Sequence, residues 1–89
     1  MAETENHEKV LVVTTQHRIE GEMQIGRDGS LWDFKHRAAE RFMTVYNAQF
    51  FATDTGRRVY DANEAEINKD HVLAVVREKD LAFMRKEPI

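Results

Sequence analysis

Polar and apolar residues alternate over residues 19–25, which predicts a β-strand with one buried face and one exposed face. Its apolar positions include Ile19, Met23 and Ile25, and glutamate or glutamine residues alternate with them. Gly21 falls on the apolar side, where the missing side chain allows a neighbouring backbone or a bulky side chain to approach closely. We therefore expect this strand to organise the domain, and the glycine-containing segment 26–29 to form a turn after it.

Other segments of strand composition flank this one. Residues 9–18 are rich in β-branched side chains and carry apolar residues on both faces, which predicts a strand partly covered on both sides. Together with the organising strand it forms either one long bent strand or two strands joined by a tight reversal. Residues 43–53 regain strand character, and the Thr-Asp-Thr-Gly sequence at 53–56 predicts a hairpin turn into a returning strand at 57–61.

A short helix is predicted between the second and third strands. The Ser30 hydroxyl is placed to accept a hydrogen bond from the amide of Asp33, whose negative charge suits the first turn of a helix. Apolar residues then recur at helical spacing, which predicts a buried stripe. The stripe consists of Leu31, Phe34, Ala38 and Phe42.

The remaining segments complete a mainly β fold. Residues 62–66 are polar and predict a loop, whereas the continuous apolar run within 71–77 predicts a central strand buried on both faces. Short strands interrupted by one helix favour a sheet that curls on itself, because an open sheet of this size leaves an apolar face in water. We expect a small five-stranded curled sheet or barrel, SH3-like or Sm-like, with one short helix between strands 2 and 3.

Length and composition indicate a single domain. The chain has 89 residues, of which 42% are hydrophobic and only one is proline. Residues 1–8 are acidic and lack an apolar anchor, which predicts a disordered arm, and 9–78 form the β domain. Residues 79–89 predict a C-terminal tail, either frayed or a short amphipathic helix.

Charge and cysteine content exclude several classes of function. The formal net charge is -3 and the sequence pI is near 5.8, which argues against a protein that binds by neutralising phosphates. Without cysteine there are no disulfides, thiolate metal sites or cysteine nucleophiles. The polar start and the absence of an apolar run of about 18 residues predict a cytoplasmic protein that does not enter a membrane.

The sequence shows no pattern that marks a catalytic or metal site. Its histidines fall on four separate predicted segments, without the spacing of a metal-binding helix or hairpin. No nucleophile, base and orienting group are marked by their spacing, and no phosphate-binding loop is present. We expect neither an enzyme nor a bound cofactor or metal. The histidines are His7, His17, His36 and His71.

Large aromatic side chains are the better indication of function. Tryptophan and tyrosine dominate binding hot spots when they are partly exposed, although the phenylalanines are equally explained as core residues. With Leu31 and Phe34 facing inward, the geometry of a helix directs the side chain of Trp32 toward the rim. The exposed edges of a small sheet also offer backbone groups to a partner strand, including one from a second copy of the chain. The candidate partner-binding residues are Trp32, Tyr46, Phe50 and Phe83.

Four segments resemble a family of small uncharacterised bacterial domains. They are residues 17–21, 29–34, 41–48 and 67–75, which read HRIEG, GSLWDF, RFMTVYNA and INKDHVLAV. The corresponding family pattern is close to HRIEG, GGRLSDFLN, RFLPLTDA and VNKDHIVAV, and the resemblance covers about residues 9–77. It implies a bacterial cytoplasmic protein with a small β-rich fold and carries no known activity. Trp32 stands where the family more often has a small polar residue.

Two functions follow as hypotheses. The first is a non-enzymatic protein–protein interaction module, a small bacterial adaptor or regulatory subunit of a larger cytoplasmic protein in signalling, polarity or motility, with a small GTPase as one conceivable target. The second is an Sm-like single-stranded nucleic-acid binder, in which Arg57 and Arg58 contact phosphates and the rings of Tyr46 and Phe50 stack on bases. Salt separates the two, because phosphate binding weakens steeply as the salt concentration rises.

Overall fold

Five antiparallel strands form one open sheet in the order β4-β3-β2-β1-β5. The computed structural model describes residues 6–81. The strands are β1 (Asn6–Thr14), β2 (His17–Ile25), β3 (Phe42–Ala52), β4 (Arg58–Asn68) and β5 (Val72–Arg77). A single turn of helix, α1 (Trp32–Lys35), lies between β2 and β3, and 3-10 turns occupy Lys69–His71 and Glu78–Asp80. The predicted mainly β fold, with five strands and a helix between the second and third, is confirmed, and β4 and β5 are the two edges.

The organising strand is the centre of the sheet. β2 pairs with β1 on one side and with β3 on the other, and its predicted alternation is confirmed because Ile19 and Met23 are fully buried while Glu22 lies on the opposite face. The segments that flank the reversal at residues 15–16 are two strands, so the alternative of one long bent strand is excluded. The buried core consists of Val10, Val12, Ile19, Met23, Met43, Val45, Ala48 and Phe50.

Gly21 permits a close approach between β2 and β3. A Cβ atom at this position would lie 2.6 Å from Cγ1 of Val45 and 2.9 Å from the carbonyl oxygen of Tyr46. The pairing register between the two strands shifts at the same place, and Asn47 adopts a positive φ of 52°. The irregularity therefore bends the sheet at the glycine that the sequence singled out.

The first strand begins earlier than predicted. Asn6 pairs with Ile25, so residues 6–8 belong to the sheet and not to an arm, and the rest of the predicted arm lies outside the described residues. Glu8 contributes to this order because its carboxylate lies 3.4 Å from Nε of Arg77 and 3.1 Å from Nζ of Lys79. These ion pairs connect the start of β1 to the end of β5.

Both edge strands differ from the sequence predictions. Residues 62–66, predicted as a loop, continue β4, where Ala62 and Ala65 pair with Ala48 and Val45 of the core. Their polar neighbours are accommodated because β4 is an edge strand whose second side meets solvent. The strand predicted to be central is the other edge, β5, and its Leu73 is 66% exposed.

The helix is shorter than predicted and buries a different residue. Ser30 does not cap it, since its amide and hydroxyl both donate to the carboxylate of Asp28. The helix ends at Lys35, so the predicted apolar stripe is wrong, and Phe34 is 40% exposed. Of the other stripe positions, Leu31 packs on the core, Ala38 is exposed and Phe42 begins β3.

The described part of the C-terminal tail adds one short element. The 3-10 turn Glu78–Asp80 and Leu81 follow β5 directly. The remainder of the predicted tail, Phe83 included, lies outside the described residues. Across residues 6–81, every helical segment is too short and too polar to cross a membrane.

Candidate interaction surface

A buried carboxylate fixes α1 against the sheet. Asp33 is only 3% exposed, and its Oδ2 accepts a 2.8 Å hydrogen bond from the backbone amide of Thr44 in β3. Its Oδ1 lies 3.2 Å from Nη1 of Arg37, and Nζ of Lys69 donates to the carbonyl oxygens of Asp33 and Arg37 at 2.7 and 2.8 Å. The short helix is therefore attached both to β3 and to the turn that precedes β5.

An apolar groove separates α1 from the edge strand β5. Leu31 and Val75 pack against the core within it, while Leu73 lines it and is largely accessible and Phe34 lines it and is partly exposed. Nζ of Lys69 lies 5.2 Å from the centre of the Phe34 ring and helps to hold that ring in place. The groove is a ready contact surface because its walls are apolar and its position is fixed by the contacts of Asp33.

The charges that flank the groove are already paired. Lys35 forms a salt bridge with Asp28, and hydrogen bonds from the Lys35 ammonium, then from Ser30, hold the pKa of the Asp28 carboxyl well below its ordinary value. Arg77, at the other end of the groove, is paired with Glu8. A ligand of this groove therefore meets apolar side chains and strand backbone more than free charge.

One strand edge borders the groove. Within residues 6–81, β5 pairs with β1 alone, so its second edge has no strand partner there. Residues 72–76 contain five consecutive apolar side chains and no charge. Edge strands that avoid association normally carry charges, prolines or bulges; β5 has no charge or proline over residues 72–76, and a bulge at Leu73 interrupts its pairing with β1.

The structure separates the three predicted partner-binding aromatics that lie within residues 6–81. Trp32 is half-buried beside Gly26, with its ring 4.1 Å from that of His36, and it does not line the groove. Phe50 is a core residue, which corrects its assignment to an exposed surface, because its side chain faces the same side of the sheet as Val45 and Ala48. Tyr46 is half-buried and stacks on His7, with ring centres 4.5 Å apart. Phe83 lies outside the described residues.

The residues predicted to contact nucleic acid do not form one platform. Arg57 and Arg58 are exposed at the end of the β3–β4 hairpin, where Nε of Arg58 lies 3.7 Å from a carboxylate oxygen of Asp61. Tyr46 pairs with Glu64, several residues farther along β4, and Phe50 faces the core. The face that carries Tyr46 is rich in carboxylates, which repel phosphate. These are Glu20, Glu22, Asp61, Glu64 and Glu66.

Residues 6–81 contain no group of three or more histidine, aspartate or glutamate side chains arranged to hold a metal ion. Comparison with protein-family models, curated proteins and solved structures finds no match. The resemblance to small bacterial domains stays a prediction, and function is inferred from the geometry of this chain.

Sequence reasoning missed the groove for two reasons. The predicted helical stripe implied that Phe34 is buried, and the apolar run within 71–77 predicted that Leu73 lies in a central strand. The composition gave no signal of the short helix, because residues 35–41 consist mainly of good helix formers.

Proposed function

We propose that the chain is a non-enzymatic protein-binding module that contacts its partner through the groove between α1 and β5. The observation that carries the proposal is the position of Leu73, 66% exposed, and Phe34, 40% exposed, on either side of one groove beside a strand edge without a partner in residues 6–81. Exposed apolar residues that line one groove together offer a partner a continuous apolar contact surface.

The geometry suits a partner that presents an extended segment. Such a segment adds a strand to β5 through main-chain hydrogen bonds, and its alternate side chains enter the groove beside Phe34. Because Asp33 and Lys69 already fix α1, little ordering entropy is lost on binding. A larger cytoplasmic protein of a bacterial signalling, polarity or motility system is the partner class proposed from the sequence.

The test is capture from a bacterial lysate by the immobilised chain. Leu73→Lys places a charge on the groove, and Val59→Lys is the matched control because Val59 is 48% exposed on the opposite edge strand. We expect the same captured protein with the parent and with Val59→Lys, and its loss with Leu73→Lys. Capture that is unchanged by Leu73→Lys would contradict the proposed surface.

A nuclease-treated lysate tests the nucleic-acid hypothesis in the same experiment. Binding to a protein through apolar anchors withstands nuclease and changes little with salt. Capture that disappears with nuclease, weakens steeply with salt and requires Arg57 and Arg58 would replace the protein-binding proposal by the nucleic-acid one.

A further inference from the structure

We propose that residues 82–89 lie across the outer face of the sheet, which is the face opposite the buried core. The inference goes beyond the proposed function, because the residues that line this surface and those that line the groove between α1 and β5 are different. Residues paired across neighbouring strands point to the same side of a sheet, so the strand pairing defines the outer face. Its three rows are Val76–Leu11–Glu20–Gln49, Ala74–Val13–Arg18–Phe51 and Lys9–Glu22–Tyr46.

The outer face changes from apolar to charged in the direction from β5 to β2. Leu11, Val13 and Val76, on β1 and β5, are half-buried and do not belong to the core cluster. The next strand, β2, presents two glutamates and an arginine in the same rows. A segment that crosses this face from β5 therefore meets apolar side chains first and carboxylates next.

The chain reaches this face at the end of the described residues. Leu81 follows the 3-10 turn Glu78–Asp80, which contacts β1, and it lines a cavity of about 230 Å³ together with Leu11, Glu20 and Glu22. Eight residues follow Leu81 in the sequence, and an extended segment of that length spans about 26 Å. The distance from β1 to β3 is two strand spacings, about 10 Å, so the segment is long enough to reach β3.

The order of side chains in residues 82–89 matches the order on the outer face. Ala82, Phe83 and Met84 come first and suit the apolar residues of β5 and β1. Arg85 and Lys86 follow, at the distance where a segment crossing the sheet reaches the glutamates of β2. A segment that runs in this direction brings apolar residues onto apolar residues and cations toward carboxylates.

The net charge of the outer face has the sign that such a segment requires. Three glutamates and one lysine line the cavity, and Arg18 lies 3.5 Å from one of these glutamates, Glu20, while His7 lies 3.5 Å from another, Glu22. The carboxylates therefore outnumber the lysine and the arginine by one, whereas residues 82–89 carry two cations and one carboxylate. The two surfaces attract each other.

Two charged side chains on the outer face are more buried than is usual on a sheet face in contact with water. The side chains of Arg18 and Glu20 are 19% and 17% exposed, whereas arginine and glutamate are mostly exposed in folded proteins. The Arg18 guanidinium lies 4.5 Å from the centre of the Phe51 ring, and its Nη2 is buried without a hydrogen-bond partner in residues 6–81. Buried donors normally have an acceptor, which a backbone carbonyl of the crossing segment or the carboxylate of Glu87 supplies.

Disulfide formation within the purified full chain tests the position of the segment. The chain contains no cysteine, so Met84→Cys is combined either with Gln49→Cys on the outer face or with Leu73→Cys at the groove. A short tether gives an effective concentration in the millimolar range, so at about 10 μM protein the disulfide forms within one molecule. Two cysteines are bridged only when their Cα atoms approach to about 4–7 Å, and we expect the Gln49 pair to react at least about fivefold faster than the Leu73 pair, as measured by mass spectrometry after thiol blocking.

Charge reversal in the same background tests the direction of the segment. With Met84→Cys and Gln49→Cys in place, replacement of Arg85 and Lys86 by glutamate should slow disulfide formation at least about threefold, because like charges then face each other. The matched control, Arg85→Lys with Lys86→Arg, keeps both charges and should react at the unchanged rate. Circular dichroism confirms that each variant is folded, and a rate that charge reversal leaves unchanged would overturn the placement of these cations over β2.

The rates for the two cysteine pairs decide the inference. Equal rates would overturn it, because a segment without a fixed position reaches both sites. A faster Leu73 pair would also overturn it and would place the segment at the groove. Failure of this inference is distinguishable from failure of the proposed function, which is measured separately by the effect of Leu73→Lys on lysate capture.

Discussion

Replacement of Asp33 by alanine should destabilise the domain by about 1.5–3.5 kcal/mol. The carboxylate of Asp33 is the acceptor for the buried amide of Thr44, and a buried donor left without an acceptor costs roughly 1–3 kcal/mol. The lost ion pair with Arg37 adds about 0.5 kcal/mol, because Arg37 is partly exposed and keeps Glu40 as a partner. The sum is a large fraction of the roughly 5–10 kcal/mol that stabilises a domain of this size.

Urea unfolding followed by the fluorescence of the single tryptophan measures this effect. Trp32 begins α1, next to Asp33, so its emission reports whether the helix remains docked. Asp33→Asn is the matched control, because the amide oxygen still accepts from Thr44 and only the ion pair is lost. We expect Asp33→Asn to cost less than half as much as Asp33→Ala. Equal losses, or losses below about 0.5 kcal/mol for both, would refute the role assigned to the Thr44 hydrogen bond.

Two further predictions concern the centre of the sheet and the turn before α1. Met23→Lys should lower the free energy of unfolding by several kcal/mol, because it buries an unpaired charge, whereas Glu22→Lys on the opposite face should lower it little. Equal urea midpoints for the two variants would show that Met23 does not lie on the buried face of β2. The pKa of Asp28, followed by carboxyl NMR, should lie well below its ordinary value of 3.8, and Lys35→Met should raise it. Since folding lowers this pKa, the associated stabilisation is complete above about pH 4 and declines as the pH falls below it. An Asp28 pKa that Lys35→Met leaves unchanged would show that Lys35 is not the cause of the lowered pKa.

The centre of the fold was predictable from local pattern. The alternation of polar and apolar residues around Met23 is typical of a strand that is buried on one face. A glycine on that buried face indicates that a group of an adjacent strand approaches closely there. Both inferences need only the side-chain period of a strand and the size of the missing side chain. They hold because β2 has a strand on each side.

The edges and the interaction surface were not predictable in the same way. The polar run at 62–66 has the composition of a loop, and only its pairing with β3 makes it a strand. The apolar run that includes Leu73 is compatible with a central strand or with an edge that binds a partner, since composition reports polarity and not position. Asp33 has an ordinary explanation at the start of a helix, so its burial against Thr44 becomes visible only when the tertiary contact is known.

The gap left by Gly21 also determines how β2 and β3 are aligned. Sliding β2 by one position would place Glu20 or Glu22 against Val45, and sliding it by two would place Ile19 or Met23 there. Each of these residues has the Cβ atom that this site excludes, since such an atom would lie 2.6 Å from Val45. A shift of β2 against β3 by one or by two positions therefore produces a steric clash at this site, which the native alignment avoids. Gly21 thus favours a single alignment of β2 against β3.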